Sequence, residues 1–145
     1  MTWSIESVRH ADLPAAAIFR FYTDPSTWPS WGHNTRGARA EGALVEGATV
    51  YVRAGYGRVW PVLVKRLEPD RLIETEVRPP GLVVLQRFDL TPTDGGVTIR
   101  HEIEVSGWAA GFTGVTLKPL YRRLLAKETR KLVELAERSH HGTTM

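Results

Sequence analysis

The strongest constraint in this 145-residue chain is a long amphipathic segment near its end. Between Thr116 and Ser139, Leu117, Tyr121, Leu124, Leu125, Leu132 and Leu135 recur at helical spacing and form one apolar stripe. At about 100° per residue, Glu128 falls near the middle of that stripe, between Leu124 and Leu132. Lys118, Arg122, Ala126, Arg130 and Glu137 mostly point away from it. A helix of this kind must lie on an apolar surface, and everything before it reads as short strands. The expected fold class is α+β, with one long helix lying on a curved antiparallel sheet.

The rest of the chain supplies that sheet. Trp3 to Ser7 alternates apolar and polar residues and reads as a strand. Asp12-Leu13-Pro14 then starts a helix, with Ala17, Ile18, Phe21 and Tyr22 along one side. The stretch from Asp24 to Trp31 is too rich in proline for a long helix and is expected to form a short turn capped by Asp24 or Ser26. Strand-like segments follow over 35–40, 49–54, 58–67, 72–78, 82–91 and 97–106, each bounded by glycine, proline or aspartate turn signals. Asp94-Gly95-Gly96 is the tightest hairpin signal. Val97, Ile99, His101, Ile103 and Val105 share one face of the last strand, which places His101 in the apolar phase. In the strand before it, Leu82, Val84, Gln86, Phe88 and Leu90 are expected to face inward and Arg87 and Asp89 outward.

Charge and composition exclude several classes. No apolar run approaches the length of a membrane span, and the first ten residues carry Glu6 and Arg9 without the apolar region of a signal peptide, so a cytoplasmic protein is expected. With no cysteine there is no disulfide, thiolate nucleophile or cysteine metal site. His33, His101, Glu74 and Glu76 show no metal-ligand spacing, and His140-His141 falls in an expected tail, so no metal is expected. There is no phosphate-cradling glycine loop, no dinucleotide fingerprint and no Gly-x-Ser-x-Gly elbow. The terminal helix carries seven cations against three anions in a chain of net charge +3. Aromatic residues are not interleaved with those cations as single-strand nucleic-acid binding would require, so no nucleic acid is expected. A basic helix docking on an acidic partner or membrane surface remains one reading of it.

The chain resembles a known superfamily in its element order and in several loose motifs. These are Ile18-Phe19 through Tyr22-Thr23-Asp24-Pro25 with Trp28-Pro29-Ser30-Trp31, then Glu46-Gly47 before a strand, and Val64-Lys65-Arg66-Leu67-Glu68-Pro69 followed by Arg71-Leu72-Ile73. The hairpin Asp94-Gly95-Gly96-Val97-Thr98 leading to Ser106-Gly107 completes the set. Together they resemble the helix-grip START/birch-pollen-allergen-like (SRPBCC) superfamily, in its polyketide cyclase/dehydrase-like branch. The resemblance implies six to seven strands wrapped around the C-terminal helix, two short helices after the first strand, and an apolar cavity between sheet and helix. It implies a single ligand-binding domain over 1–139 and a flexible tail over 140–145. It also implies a small hydrophobic ligand (a lipid, polyketide or aromatic metabolite), no cofactor and no integral membrane association; a homodimer stays open. The abundance of Arg, Ala and Gly fits a bacterial source.

The candidate site residues are polar or aromatic groups expected to face that cavity. Glu128 is an acid on an apolar stripe; it either meets a polar group of a ligand or does acid–base work, or it forms a salt bridge to a sheet arginine such as Arg53 or Arg87. His101 is either a satisfied core residue or, sharing the cavity with Glu128, half of a catalytic pair. Trp28, Trp31, Trp60 and Trp108 could form aromatic walls or simply pack, with Phe88, Leu117, Tyr121 and Leu124 completing the lining. Tyr51 and Arg53 share one strand phase and Val50, Val52 and Ala54 the other, so which set faces inward is open; Tyr51 and Arg53 are included as ligand-binding candidates. The competing functions are a binding module, a polyketide cyclase/aromatase-like enzyme and an interaction protein using its basic helix.

Overall fold

The computed structural model describes residues 2–32 and 35–143, with side chains described as far as His140. His33 and the side chain of His141, both considered above as metal ligands, lie outside the described residues. Strand β1 (Trp3–Ala11) leads into helix α1 (Ala15–Tyr22), a 3-10 turn (Pro25–Thr27) and the short helix α2 (Trp28–Trp31). Six strands follow: β2 (Thr35–Ala40), β3 (Thr49–Ala54), β4 (Val59–Glu68), β5 (Leu72–Val77), β6 (Val83–Thr93) and β7 (Gly96–Ser106). Helix α3 (Ala110–Thr143) ends the chain. The strands form one antiparallel sheet in the order β1-β7-β6-β5-β4-β3-β2, so the first strand returns to pair with the last. This is the helix-grip arrangement expected from the sequence.

Alternation of side chains across the strands decides which face meets α3. On β7, Val97, Ile99, His101 and Val105 are buried, and on β6 Phe88 and Leu90 are buried while Arg87 reaches the outer face. The central strand β5 is covered on both sides. Ile73 and Thr75 turn inward, whereas Glu74 and Glu76 lie on the outer face under longer cations. Arg87 bridges Glu74 (2.8 Å) and Glu102 (3.1 Å), and Lys65 reaches Glu76 at 3.1 Å. Arg78 also binds Glu76. The Lys65 hydrogen bond, reinforced by Arg78 and opposed by burial, holds the Glu76 carboxyl below its ordinary pKa.

Helix α3 begins at Ala110, six residues before the expected start at Thr116, and its backbone stays helical through Thr143. The early start is a tertiary effect. Gly107, at φ 108°, turns the chain out of β7, and the Ala109 amide donates to the Gly81 carbonyl at 3.0 Å. Gly114 then sits directly on Trp3, where a Cβ would lie 2.6 Å from the indole Cδ1. At the other end no glycine or proline interrupts the helix before Gly142, so its periodicity carries past Ser139.

Two apolar clusters anchor the helix. The larger joins Leu132, Val133 and Ala136 of α3 to Ile18, Phe19 and Tyr22 of α1 and to the sheet. The smaller joins Leu125 and Ala110 to Trp3, Ile5 and Val105. Members of both clusters line a cavity between the sheet and α3.

Candidate functional site

The cavity has a volume of about 440 Å³, within the usual range for small-molecule sites. Its sheet wall is built by inward residues of β3 to β7, among them Val52, Val62, Thr75, Val84 and Gln86. Tyr22, Trp28 and Trp31 close one end, because the proline-rich turn after α1 folds α2 back against β2. Asp24 caps that turn by accepting the Ser26 amide at 3.1 Å. Leu117, Tyr121, Leu124 and Glu128 of α3 cover the opposite side.

The tryptophans bring aromatic carbon rather than free donors to the cavity, because their indole N–H groups are taken up within the protein. Trp28 Nε1 donates to the carbonyls of Phe21 and Tyr22 (3.2 and 3.3 Å), which lie at the end of α1 where helical partners run out. Trp31 Nε1 donates to Thr27 Oγ1 and Trp3 Nε1 to Thr113 Oγ1, each at 3.2 Å. Trp60 Nε1 donates to the Tyr56 hydroxyl at 2.7 Å, and the Arg58 guanidinium lies 4.0 Å from the Trp60 ring centroid. The result is an aromatic enclosure that favours stacking. Polar atoms enter its wall through Glu128, Gln86 and Thr75.

His101 does not reach this space. It is 0% exposed and lies behind the wall, its ring 4.3 Å from Phe88 and 5.7 Å from Tyr22, centroid to centroid. Its Nε2 is 2.7 Å from the Tyr22 hydroxyl and its Nδ1 3.0 Å from Thr129 Oγ1. Because the Thr129 hydroxyl donates to the Leu125 carbonyl at 2.9 Å, Thr129 Oγ1 accepts from Nδ1–H and the Tyr22 hydroxyl donates to Nε2. Burial pushes the His101 pKa down to about 3 and keeps the ring neutral. Burial first, then the Glu128 and Asp89 carboxylates, push the Tyr22 hydroxyl well above its ordinary pKa. Of the two readings of His101, the geometry matches the satisfied core residue: both histidine nitrogens bond to protein, and the residue joins helix to sheet.

Three further expectations change. Val50, Val52 and Ala54 occupy the inward phase of β3, leaving Tyr51 (38% exposed) and the exposed Arg53 on the outer side. Trp108 is 88% exposed and stands outside the cavity. Neither sheet arginine considered for Glu128 reaches across: Arg53 faces out, and Arg87 is engaged with Glu74 and Glu102 on the outer face. Trp28, Trp31, Trp60, Phe88, Leu117, Tyr121, Leu124 and Glu128 all border the cavity. Tyr22 was missed as a wall residue, although its place beside Phe21 on the inward side of α1 was visible. Among the described residues no cluster of three His, Cys, Asp or Glu could hold a metal, and no helix is long and apolar enough to cross a membrane.

A seven-stranded sheet gripping one long helix over an apolar cavity defines a helix-grip protein of the SRPBCC type. The chain belongs to the polyketide cyclase/dehydrase and lipid transport family, whose model matches residues 2–137. Solved structures agree on the fold. Protein MLL2253 from Mesorhizobium loti is 21% identical with a TM-score of 0.69, over 94% of this chain and 98% of that one. Ara h 8.0201 is 13% identical with a TM-score of 0.72, over 94% and 98%. The di-domain ARO/CYC BexL from the BE-7585A biosynthetic pathway is 17% identical with a TM-score of 0.70, over 93% of this chain and 48% of that one. No curated protein sequence matches the chain. The family supports a hydrophobic-ligand-binding or cyclase role, and the solved structures support the fold.

Proposed function

We propose that the protein binds a small, flat, largely apolar molecule, such as a polyketide-like or aromatic metabolite or a lipid, between its sheet and α3. The observation that carries this reading is the aromatic enclosure itself. Trp3, Trp28, Trp31 and Trp60 border the cavity with their N–H groups bonded elsewhere, so a ligand meets aromatic carbon rather than free donors. Stacking and burial would supply the affinity, and Glu128 would orient a ligand hydroxyl or amine. Native mass spectrometry of the protein purified from its own cells, with extraction of anything bound, tests this. One apolar molecule per chain supports it. An empty protein that also takes up no fluorescent apolar probe refutes it.

A carboxylate in an apolar wall also favours a second reading, a cyclase or aromatase. Glu128 would act as the base that removes a proton from the carbon between two carbonyls of a folded chain, with Tyr121 beside the developing enolate. Ring closure and loss of water would follow without a cofactor. Glu128→Gln separates the readings. It should abolish turnover in the enzyme and shift ligand affinity only modestly in the binding module, while the fold stays intact in both cases.

A further inference from the structure

The beginning of α3 carries an apolar face that none of the described residues covers. Trp108, Phe112 and Val115 are 88%, 75% and 79% exposed, three large apolar side chains within eight residues. At about 100° per residue, Phe112, Val115 and the exposed Pro119 lie within about 60° of one another around the helix. Trp108, just ahead of the first turn, is seated against Gly81, where a Cβ would lie 2.9 Å from the indole Cε2 and Cζ2. The exposed Pro80 neighbours Gly81 in the turn that the Ala109 amide ties to α3. The same segments line the cavity from within, through Pro79, Leu82, Thr113 and Leu117.

Charge identifies the occupant. No acidic residue occurs between Glu104 and Glu128, while Lys118, Arg122, Arg123 and Lys127 all do. Arg122 and Arg123 are exposed and continue the apolar face toward the helix C-terminus, ahead of Arg130, which pairs with Glu134 at 3.9 Å. An apolar tip followed by a basic band matches an anionic bilayer, whose acyl region takes the tip and whose headgroups meet the band. A second copy of the chain fits less well, because a two-fold contact pairs this patch with itself and the patch holds no acidic residue to meet its cations. A specific protein partner also fits poorly, since such interfaces carry about one hydrogen bond per 100–200 Å². The hydroxyls of this segment are already engaged within the chain: Thr116 donates to the Phe112 carbonyl at 2.9 Å, and Thr113 bonds Trp3 and its own helix.

We propose that Trp108, Phe112 and Val115, with the arginines behind them, dock the protein peripherally on anionic lipid membranes. The surface acts independently of what the cavity holds, although it would set the cavity beside a reservoir of apolar molecules. The test is co-sedimentation of the full chain with phosphatidylcholine vesicles, with and without phosphatidylglycerol. Binding should require phosphatidylglycerol and weaken as salt is raised. The Phe112→Ser/Val115→Ser double variant should bind at least tenfold more weakly. Arg122→Gln and Arg123→Gln should each cost about fivefold. All these side chains are exposed, so melting temperature and uptake of an apolar fluorescent probe should stay at wild-type values, which separates this surface from the cavity. Absence of vesicle binding would overturn the proposal, as would equal binding by the double variant. Finding instead a concentration-dependent dimer that the double variant dissolves, with no vesicle binding, would overturn it in favour of a second copy.

Discussion

His101 is sealed between α3 and the sheet by two hydroxyls, and each hydrogen in the chain from Tyr22 through His101 and Thr129 to the Leu125 carbonyl has one acceptor. Burial penalises the charged ring, so its pKa falls to about 3 from 6.5. The consequence for stability has a definite sign. The folded pKa lies below the unfolded one, so as pH falls from 6.5 the unfolded chain binds a proton that the native state refuses. Stability therefore falls through that range. Glu76, held below its ordinary 4.5, adds its own loss only below that value, where its unfolded form takes a proton. Between pH 6.5 and pH 4.5 the loss belongs chiefly to His101 and should reach about 2 kcal/mol. Urea denaturation across that range should show the slope in wild type and a much flatter one in His101→Gln, which keeps a donor and an acceptor without a titrating ring. An unchanged slope in the variant would assign the effect elsewhere. The inward phase of His101 could be read from β7 alone, whereas its partners could not. Tyr22 lies 79 residues away in sequence, and only the closed fold brings the two together.

At the scale of elements, α3 was the most legible part of the chain because its apolar period is strong and long. Its stripe nonetheless serves two purposes. Leu132 is fully buried in the main core, whereas the half-buried Leu124 borders the cavity. Leu132→Ala should therefore cost about 2–5 kcal/mol and Leu124→Ala less than about 1.5 kcal/mol in denaturant titrations. Equal losses would mean that the helix packs solidly along its whole length. The start of α3 was hidden because Gly111 and Gly114 read as loop in isolation, and the reason for a glycine at 114 sits at the other end of the chain, in Trp3. Gly114→Ala should for that reason reverse the usual helical trend. Alanine normally gains about 1 kcal/mol over glycine inside a helix. Here the added methyl meets a buried indole held by Thr113, so a net loss of about 1–3 kcal/mol is expected by thermal unfolding. The phase of β3 was hidden for a different reason. Tyr51 and Arg53 have apolar stems and polar tips that suit a cavity wall as well as an outer face, so only the pairing with β2 and β4 decides between them.

The whole molecule divides its interior between a packed end and a hollow middle, and that division is open to experiment. Val64 and Val84 are both strand valines on the inner side of one sheet. Val64 is fully buried in the main core, whereas Val84 borders the cavity. The same substitution should then have opposite consequences at the two sites. Val64→Phe forces a ring into filled space and should lose about 1–3 kcal/mol. Val84→Phe extends a ring into a void of about 440 Å³, where new contacts replace missing ones, so its stability should stay within about 1 kcal/mol of wild type or exceed it. Its affinity for apolar fluorescent probes should fall more than tenfold, since the ring takes the room a ligand needs. A saturating ligand at about 100 times its Kd should stabilise wild type by about 2.7 kcal/mol and Val84→Phe by almost nothing. Should Val84→Phe be as destabilised as Val64→Phe and still bind the probe, the ligand site would lie outside the space between sheet and helix. A stable, probe-blind Val84→Phe variant would place binding in that hollow and explain why a chain of this size leaves its centre unfilled.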